Sequence, residues 1–456
     1  MYRKKYSIHF VGIGGIGMSG IAELLLNLGY QVSGSDIKES DITQRLAKLG
    51  GTIYRGHRAE NVKGCDVVVV SSAIRQENPE TASAREQGIP VIPRAEMLAE
   101  LMRLKYSVAI AGAHGKTTTT SIVADVLAAG GLDPTVVIGG KLLSIGSNAK
   151  LGHGEFIVAE ADESDGSFLK MSPSIAVVTN IDREHMDHYK DMGEIKDAFA
   201  QFVDKIPFYG LSVLCLDSEP VQDLIPFINK RYVTYGLSTQ ADLQAGDVTT
   251  EGLTSRFTVR HNKKRLGRIT LNLPGLHNVY NSLASIAVGL ELNVPFENIK
   301  AALESLSGVH RRLETKGKVG GIVVMDDYGH HPTEIRTTLQ AVNDSYPERR
   351  VGVIFQPHRY SRTQSLFEDF ARSFYQADYL VVLPIYAAGE KPIPGVDSVS
   401  LCKALKAYGH KQVIHAPSKE SALQELDKTV REGDVLITLG AGDVYRVGES
   451  FLASRS

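Results

Sequence analysis

Cysteine is scarce in this chain, long apolar runs are absent, and neither sign of charge is in large excess. The three cysteines among 456 residues, Cys65, Cys215 and Cys402, lie far apart and form no metal-binding spacing. They are therefore expected to be reduced thiols of a cytoplasmic protein. No apolar run reaches the length that crosses a membrane. The formal net charge of −2 gives no general attraction to nucleic acid or to a membrane surface, so partners must be inferred from individual sites.

The length and composition predict a soluble multidomain protein. A prior of about 150 residues per domain suggests three domains, which we place at residues 1–106, 107–313 and 314–456. The first residues, Met1 to Lys5 and the apolar run after them, imitate a signal peptide only faintly, because glycines interrupt the run and no convincing cleavage site follows. Strands alternate with helical patterns in all three regions, which predicts the α/β class.

The stretch from residue 107 to 120 predicts a strand, a phosphate loop and a helix. Gly112 and Gly115 allow a tight turn of exposed N–H groups, Lys116 adds a charge that we expect to face solvent, and the Thr117 hydroxyl suits Mg²⁺. Standard phosphate-loop spacing needs a glycine where Ile110 stands, so the pattern alone supports the assignment only in part. The alternative is an ordinary strand-to-helix turn with a surface lysine.

Two later strands of this region are predicted to end in acidic residues. The first delivers Glu160, Asp162, Glu163 and Asp165, and the second delivers Asn180, Asp182, Glu184, His185, Asp187 and His188. Because ligands of an open parallel sheet bind outside the carboxyl ends of its strands, both runs should face the phosphate loop. Glu160 and Thr117 are the expected ligands of a first Mg²⁺, and His185 of a second ion. The other acidic residues are expected to be solvated or capping groups.

The N-terminal region opens with a nucleotide-binding βαβ pattern. A strand leads into the glycine turn from Gly12 to Gly17, and a second strand ends at Asp36, near the spacing of an acidic residue that binds an NAD ribose. The same turn can hold the diphosphate of a nucleotide sugar. Asp36 could equally be a loop or capping carboxylate.

Polar clusters also mark a later helix and the C-terminal region. Asn278 and Asn281 lie near the start of a predicted helix, where they could contact a base or only cap the helix. His330 and Arg359 follow two strands of a third alternating region that we expect to be neighbours, and they suit anion recognition. Alternating residues from 241 to 268 predict hairpins beside the central sheet.

Taken together, the motifs resemble those of the Mur ligases over essentially the full length. The motifs on which the resemblance rests occur in the same order as in the family. They are residues 12–20, 112–120, 159–165, 179–187, 277–281, 310–312, 326–332 and 357–363. The family's usual loop has its first glycine at the position of Gly112, which explains why Ile110 stands where standard phosphate-loop spacing needs a glycine. Ala113 replaces the family's usual threonine. The resemblance implies a Rossmann-like first domain, a phosphate-loop ATPase-like central domain with a mainly parallel sheet plus hairpins, and a Rossmann-like last domain.

The resemblance also implies an activity and its sites. It implies an ATP- and Mg²⁺-dependent ligase of peptidoglycan synthesis that joins L-alanine to the lactyl carboxylate of UDP-N-acetylmuramate through an acyl phosphate. The implied catalytic residues are Lys116, Glu160, His185, His330 and Arg359. The implied ATP site comprises Gly112, Ala113, His114, Gly115, Lys116, Thr117, Thr118, Asn278, Asn281 and Arg312. The implied UDP-sugar site comprises Gly14, Gly15, Ile16, Gly17 and Asp36, and the amino-acid site Tyr328, His330 and Arg359.

Several alternatives remain open at this point. Sister ligases carry a carbamylated lysine where this chain has Ala200, which agrees with the alanine-adding branch but leaves the second ion's ligands open. The nearest competitor within the family attaches a recycled tripeptide to the same nucleotide sugar. Outside it, an NAD-dependent oxidoreductase would explain only the first glycine turn, and a nucleotide-switch module only the phosphate loop. We expect a monomer or weak homodimer that binds neither nucleic acid nor membrane.

Overall fold

The computed structural model describes residues 6–71, 74–75, 77–138, 149–186, 188–306 and 308–455, and the side chain of Ile16 is also outside the description. The chain divides into two compact units. The first comprises Met1–Gln244, His261–Lys264 and Asn281–Leu303, and the second comprises Ala245–Arg260, Arg265–Tyr280 and Glu304–Ser456. Within the described residues, no helix is both long and apolar enough to cross a membrane.

The N-terminal part of the first unit is a five-stranded parallel sheet. Its strands are β1 (Ser7–Val11), β2 (Gln31–Asp36), β3 (Thr52–Arg55), β4 (Val67–Val70) and β5 (Val91–Pro93), and its helices are α1 (Ile16–Asn27), α2 (Asp41–Lys48), α3 (Pro79–Glu86) and α4 (Arg94–Met102). The strand order is β3-β2-β1-β4-β5, and all four pairings are parallel. Helices connect the strands in both directions from β1, as in a doubly wound sheet.

A second sheet follows in the same unit. Its strands are β6 (Tyr106–Ala111), β7 (Thr135–Val137), β8 (Ala149–Lys150), β9 (Phe156–Glu160), β10 (Ile175–Val178), β11 (Leu211–Cys215) and β12 (Tyr232–Gly236), and the helices among them are α5 (Lys116–Ala129), α6 (Met192–Asp204) and α7 (Glu219–Gln222). The order is β12-β11-β10-β6-β9-β7-β8. Strand β6 lies directly between β9 and β10. The two strands that end in acidic runs therefore flank the strand that leads into the phosphate loop.

Three longer strands come next, joined by two-residue turns. They are β13 (Leu243–Glu251), β14 (Thr254–His261) and β15 (Lys264–Leu271), followed by α8 (Leu276–Glu291) and α9 (Phe296–Glu304). Such short connections allow only antiparallel hairpins. The first residues of β13, Leu243 and Gln244, pair with β12.

The second unit is built on a six-stranded sheet. Its strands are β16 (Glu314–Val319), β17 (Ile322–Asp327), β18 (Val351–Phe355), β19 (Tyr379–Val382), β20 (Val413–His415) and β21 (Val435–Leu439), and its helices are α10 (Pro332–Ser345), α11 (Tyr360–Ser365), α12 (Phe367–Ala371), α13 (Ser398–Ala407), α14 (Lys419–Thr429) and α15 (Tyr445–Ala453). The order is β16-β17-β21-β18-β19-β20, with β16 antiparallel to β17. Separate apolar cores cover its two faces, which is why its central strands are mostly apolar.

This order corrects one prediction. We expected His330 and Arg359 to follow neighbouring strands, but β21 lies between β17 and β18. The last parallel strand of the chain enters the middle of the sheet. The predicted α/β class, with three sheets of which the central one carries hairpins, is confirmed.

Candidate active site

The phosphate loop is the four-residue connection between β6 and α5. Gly112 has a φ of +134°, and a Cβ there would lie 2.1 Å from Thr179 Oγ1. Gly115 has a φ of +84° immediately before the first residue of α5, Lys116. Both positions therefore require glycine, because a side chain would be strained at Gly115 and would also collide at Gly112. Ala113 and His114 complete the loop, and Thr117 and Thr118 lie in the first turn of α5.

The segment after β10 holds this loop in place through His114. The His114 N–H donates to Asn180 Oδ1 at 2.9 Å, and the His114 carbonyl accepts from Thr179 Oγ1 at 2.7 Å and from Asn180 Nδ2 at 3.0 Å. The ring Nε2 lies 3.0 Å from Asp182 Oδ2. The loop backbone is thus fixed from the neighbouring strand, as a preorganised anion site requires.

Lys116 is largely buried, which corrects the expectation that it faces solvent. Its side chain is 17% exposed, and Nζ lies 2.8 Å from Glu163 Oε1. Nζ also donates to the carbonyls of Gly112 at 2.5 Å and Ala113 at 3.1 Å. Burial alone would lower the pKa of Lys116, but nearby carboxylates, Glu163 foremost, raise it above its usual value. The ammonium group is therefore held charged against its own loop.

A cluster able to bind a cation lies beside Lys116. Glu163, Glu184 and His185 each offer a ligand atom, all within 4.8 Å of one another. His185 has a φ of +57°, and its Nε2 lies 3.5 Å from Glu163 Oε1. Burial would raise the pKa of Glu163, but the charge of Lys116 keeps it below its usual value. Two carboxylates and an imidazole are suitable ligands for a divalent ion. The buried Glu163 Oε2 is available to such an ion, because no described residue donates a hydrogen bond to it.

The structure places the other predicted metal ligands as follows. Glu160 is the last residue of β9 and pairs with Ile110 of β6, so it lies at the strand end nearest the loop. Thr117 lies in the first turn of α5. Asp165 accepts from the Ser167 N–H at 3.0 Å, which is the capping role expected for most of these acids. Asp187 lies outside the described residues.

The two asparagines of α8 have different surroundings. Asn281 lies against the phosphate loop, where its Oδ1 accepts from Thr119 Oγ1 at 3.1 Å and would lie 2.6 Å from a Cβ at position 115. Asn278, in the second unit, donates to the Pro274 carbonyl at 2.8 Å. Within the first unit, Asn281 therefore lies beside the phosphate loop.

The first glycine turn is tied to the end of β2. The carbonyl of Ser35 accepts from the N–H groups of Gly12 and Ile13 at 2.8 and 3.0 Å, and Asp36 Oδ2 accepts from Gly14 N–H at 2.9 Å. The other Asp36 oxygen accepts from Lys38 N–H at 3.2 Å. Asp36 thus braces the turn, which is the loop role that we left open for it.

The remaining residues of the predicted UDP-sugar site begin α1. Gly15 precedes the helix, and the backbone of Ile16 and Gly17 forms its first turn. A Cβ on Gly17 would lie 3.1 Å from the Arg94 side chain. The side chain of Ile16 lies outside the described part of the structure.

The predicted amino-acid residues lie at the carboxyl end of the third sheet. The His330 ring lies 5.5 Å from that of Tyr328 and 5.9 Å from that of His358. Burial keeps the pKa of His330 well below its usual value, so the ring is neutral near pH 7. Arg359 has a φ of +70° and donates its N–H to the Tyr386 carbonyl at 2.8 Å. The loops after β17 and β18 thus approach one another although β21 separates the strands.

Comparison with known proteins identifies the family. Three family models match in succession: the Mur ligase family catalytic domain over residues 7–106, the Mur ligase middle domain over 110–289, and the Mur ligase glutamate ligase domain over 311–442. The chain belongs to the Mur ligase family. The chain is 99% identical, over the full length of both, to a UDP-N-acetylmuramate--L-alanine ligase of Desulfatibacillum aliphaticivorans.

Two solved structures are similar over nearly the whole of this Mur ligase. The UDP-N-acetylmuramate-alanine ligase MurC of Thermotoga maritima is 32% identical with a TM-score of 0.82, covering 98% of this chain and 99% of its own. A murein peptide ligase of Psychrobacter arcticus is 25% identical with a TM-score of 0.73, covering 98% of each chain.

Sequence reasoning missed two ionic residues of this Mur ligase, the buried Asp327 and the partly buried Arg311. Asp327 accepts from the N–H groups of Leu313 and Gly329 at 2.8 and 2.7 Å, and burial raises its pKa to about 6. Arg311 donates to Asp326 at 2.8 Å and to the carbonyls of Gly440 and Gly442. Their signal was a doubled charge in the sequence, Asp326-Asp327 and Arg311-Arg312. Arg312 itself lies over the Tyr328 ring at 5.3 Å.

Proposed function

We propose that this chain is an ATP-dependent ligase that joins L-alanine to the lactyl carboxylate of UDP-N-acetylmuramate, giving ADP and phosphate. The observation that carries the proposal is the loop from Gly112 to Lys116, fixed by the strand beside it and adjoined by a cation-binding cluster. The full-length relative at 99% identity bears the name of this activity. Two of the three sheets remain to hold the nucleotide sugar and the amino acid.

The chemistry explains why such a site is needed. A carboxylate does not react with an amine until its oxygen has been converted into a leaving group, and phosphorylation by ATP makes the acyl phosphate that the amine can attack. Phosphoryl transfer depends mainly on positioning and on neutralising charge. The N–H groups of the loop, the N-terminus of α5 and the Lys116 ammonium would provide both. Mg²⁺, when bound, would neutralise phosphate oxygens. Thr117 and Glu160 are the residues proposed to hold a first ion, and His185 a second.

The sites are proposed to follow the three sheets. Residues 1–106 would hold the uridine diphosphate at the turn that Asp36 braces, residues 107–313 the ATP, and residues 314–456 the amino acid. A carboxylate is best held by a guanidinium fork, which assigns Arg359 to the alanine carboxylate. The neutral His330 ring can accept a hydrogen bond from the amine, which must be uncharged to attack. Tyr328 would line the same pocket.

The main competitor is the tripeptide-recycling activity. The murein peptide ligase of Psychrobacter arcticus shares the fold but is only 25% identical, whereas a full-length alanine ligase is 99% identical. An NAD-dependent oxidoreductase is disfavoured because the match to Mur ligases continues through all three regions.

The deciding experiment measures phosphate release from ATP by the full chain. UDP-N-acetylmuramate is supplied with L-alanine, with glycine, with L-serine or with the tripeptide, and each reaction is repeated without the nucleotide sugar. We expect release that requires the sugar and is fastest with L-alanine. Faster turnover of the tripeptide would move the protein to the recycling branch. Binding of NADH, followed by its fluorescence, with no response to UDP-N-acetylmuramate would favour the oxidoreductase.

The cellular setting follows the same proposal. ATP and the nucleotide sugar are cytoplasmic metabolites, and Cys65, Cys215 and Cys402 are free thiols in the structure, so we propose a cytoplasmic enzyme. A monomer or weak homodimer stays a prediction.

A further inference from the structure

Glu163 has a buried carboxylate in which one oxygen accepts hydrogen bonds and the other accepts none from the described residues. Its side chain is 4% exposed, and Oε1 faces both Lys116 Nζ at 2.8 Å and His185 Nε2 at 3.5 Å. Oε2 is buried and receives no hydrogen bond from any residue that the structure describes. The backbone is fixed as well, because the Tyr189 hydroxyl donates to the Glu163 carbonyl at 2.6 Å. Burying a carboxylate oxygen without a hydrogen-bond donor costs free energy, and a cation that binds this oxygen would offset that cost.

Lys116 occupies this cluster as its resident cation. Its ammonium bonds Glu163 Oε1 and two carbonyls of its own loop. All three acceptors lie within the protein, so in this arrangement the lysine donates its hydrogen bonds inward. A nucleotide phosphate that recruits Lys116 would remove the positive charge from Glu163. The carboxylate would then be buried without its ammonium partner, which is an unfavourable arrangement.

We propose that Lys116 and a divalent cation exchange at Glu163: without nucleotide the lysine neutralises this carboxylate, and when phosphate draws the lysine away a cation bound by Glu163, Glu184 and His185 replaces it. The ligand atoms of these three residues already lie within 4.8 Å of one another. The inference rests on the proposed use of ATP and a metal.

The exchange has two consequences that a fixed metal site would not have. The lysine competes with the cation for Glu163, so removal of its charge must strengthen metal binding to the nucleotide-free protein. Glu163 also competes with phosphate for the lysine, so removal of the carboxylate must strengthen nucleotide binding when no metal is present. Both effects are coupling free energies between sites, and such couplings usually change affinity by about 5- to 150-fold.

The test is a pair of binding measurements on the full chain and needs no turnover. Mn²⁺ binding without nucleotide is followed by electron paramagnetic resonance for the wild type, Lys116→Met, Glu163→Gln and the double variant. ADP binding in EDTA is followed by calorimetry for the wild type and Glu163→Gln. Asp165→Asn is the control, since that carboxylate belongs to the same acidic run but caps Ser167. Thermal unfolding of each variant shows whether it is folded.

We expect Lys116→Met to bind Mn²⁺ about tenfold more tightly than the wild type, and Glu163→Gln and the double variant to bind it at least about tenfold more weakly. In EDTA, Glu163→Gln should bind ADP about tenfold more tightly, and Asp165→Asn should match the wild type in both assays. Unchanged Mn²⁺ affinity in Glu163→Gln, or unchanged ADP affinity in EDTA, would overturn the exchange. If Lys116→Met does not fold, the Glu163→Gln results decide alone.

The outcome is separable from that of the proposed function. A chain that ligates L-alanine but shows neither affinity change refutes only the exchange. A chain that shows both changes but makes no peptide bond retains the exchange and refutes the ligase.

Discussion

At the residue scale, position in the fold and not charge distinguishes the acidic residues around the phosphate loop. Glu160 ends the strand beside β6, whereas Asp165 sits five positions later and caps a turn. Both were visible in the sequence as members of one acidic run. Their roles differ because only one of them stands at a strand end that faces the loop.

We predict that Glu160→Gln loses activity far more than Asp165→Asn does. The amide keeps the shape of Glu160 but removes the charge that would neutralise Mg²⁺, so we expect a loss of about 100-fold or more in kcat/KM. Ligase rates measured over a series of Mg²⁺ concentrations check this, and Asp165→Asn should stay within about twofold, as surface changes usually do. Equal losses in the two variants would mean that the acidic run acts only as a diffuse field.

At the scale of elements, the phosphate loop depends on a close approach that only glycine permits. We predict that Gly112→Ala loses ADP binding, because its Cβ would lie 2.1 Å from Thr179 Oγ1 and would displace the strand that fixes His114. Gly131, just after α5, is the matched control: its φ is +78° and nothing lies within 4 Å of a Cβ there. Gly131→Ala should cost about 1 kcal/mol of stability for its left-handed backbone and leave ADP binding intact. Calorimetric titration and thermal unfolding compare the two, and similar ADP affinities would contradict the argument.

The first sheet contains a second buried ionic element, centred on Glu80 of α3. Its carboxylate accepts from Ser35 Oγ at 2.6 Å and from Asn61 Nδ2 at 2.5 Å, with His9 Nε2 at 3.5 Å. Burial alone would raise the pKa of Glu80, but these hydrogen bonds lower it from 4.5 to about 2. Ser35 also carries the carbonyl that accepts from Gly12 and Ile13, so the network adjoins the first glycine turn.

We predict that Glu80→Gln destabilises the chain by about 2 to 3 kcal/mol at neutral pH. The folded-state pKa is depressed, so the contribution of Glu80 is complete above its unfolded value of 4.5 and is lost as the pH falls from 4.5 toward about 2. Urea unfolding at pH 7 and pH 3 checks this pH dependence. The difference in the free energy of unfolding between wild type and Glu80→Gln should be smaller at pH 3. The exposed Glu86 of the same helix provides the control Glu86→Gln. A difference that grows on acidification would refute this account.

The sequence predicted the elements that have strong patterns and missed those that depend on context. The apolar start of the stretch 107–120 identified the buried parallel strand β6, and the alternation from 241 to 268 identified the hairpin strands β13 to β15. The edge strand β16 was missed because its residues, Glu314 to Val319, are mostly polar and half-exposed. The position of β21 between β17 and β18 could not be inferred, because local patterns give strand existence but not strand order. The burial of Lys116 and Glu163 depends on their pairing with each other, which spacing does not reveal.

At the scale of the whole molecule, the residues proposed for the two chemical steps belong to different compact units. Lys116 and its cluster belong to the first unit, and His330 and Arg359 to the second. Family membership, fold class and the ligase prediction are confirmed by the comparisons. The site residues stay predictions, and the division between units provides a way to test them separately.

We predict that variants in the two units fail at different steps. Lys116→Ala should abolish acyl-phosphate formation with or without alanine, because the lysine charge is required to transfer the phosphoryl group. Arg359→Lys should form acyl phosphate at the wild-type rate yet raise the KM for alanine by about 10- to 100-fold, since it loses a charged, forked hydrogen bond to the carboxylate. Trapping with hydroxylamine, which converts the acyl phosphate into a stable hydroxamate, measures the first step without alanine, and initial rates measure the second.

Arg372→Lys, an exposed arginine of the second unit, is the control and should match the wild type in both assays. The KM for UDP-N-acetylmuramate should change little in Arg359→Lys, because the nucleotide sugar is assigned to the first sheet. Loss of hydroxamate in Arg359→Lys would place that residue in phosphoryl transfer and remove it from the amino-acid pocket. Hydroxamate formed by Lys116→Ala at an undiminished rate would remove Lys116 and its phosphate loop from the proposed phosphoryl transfer.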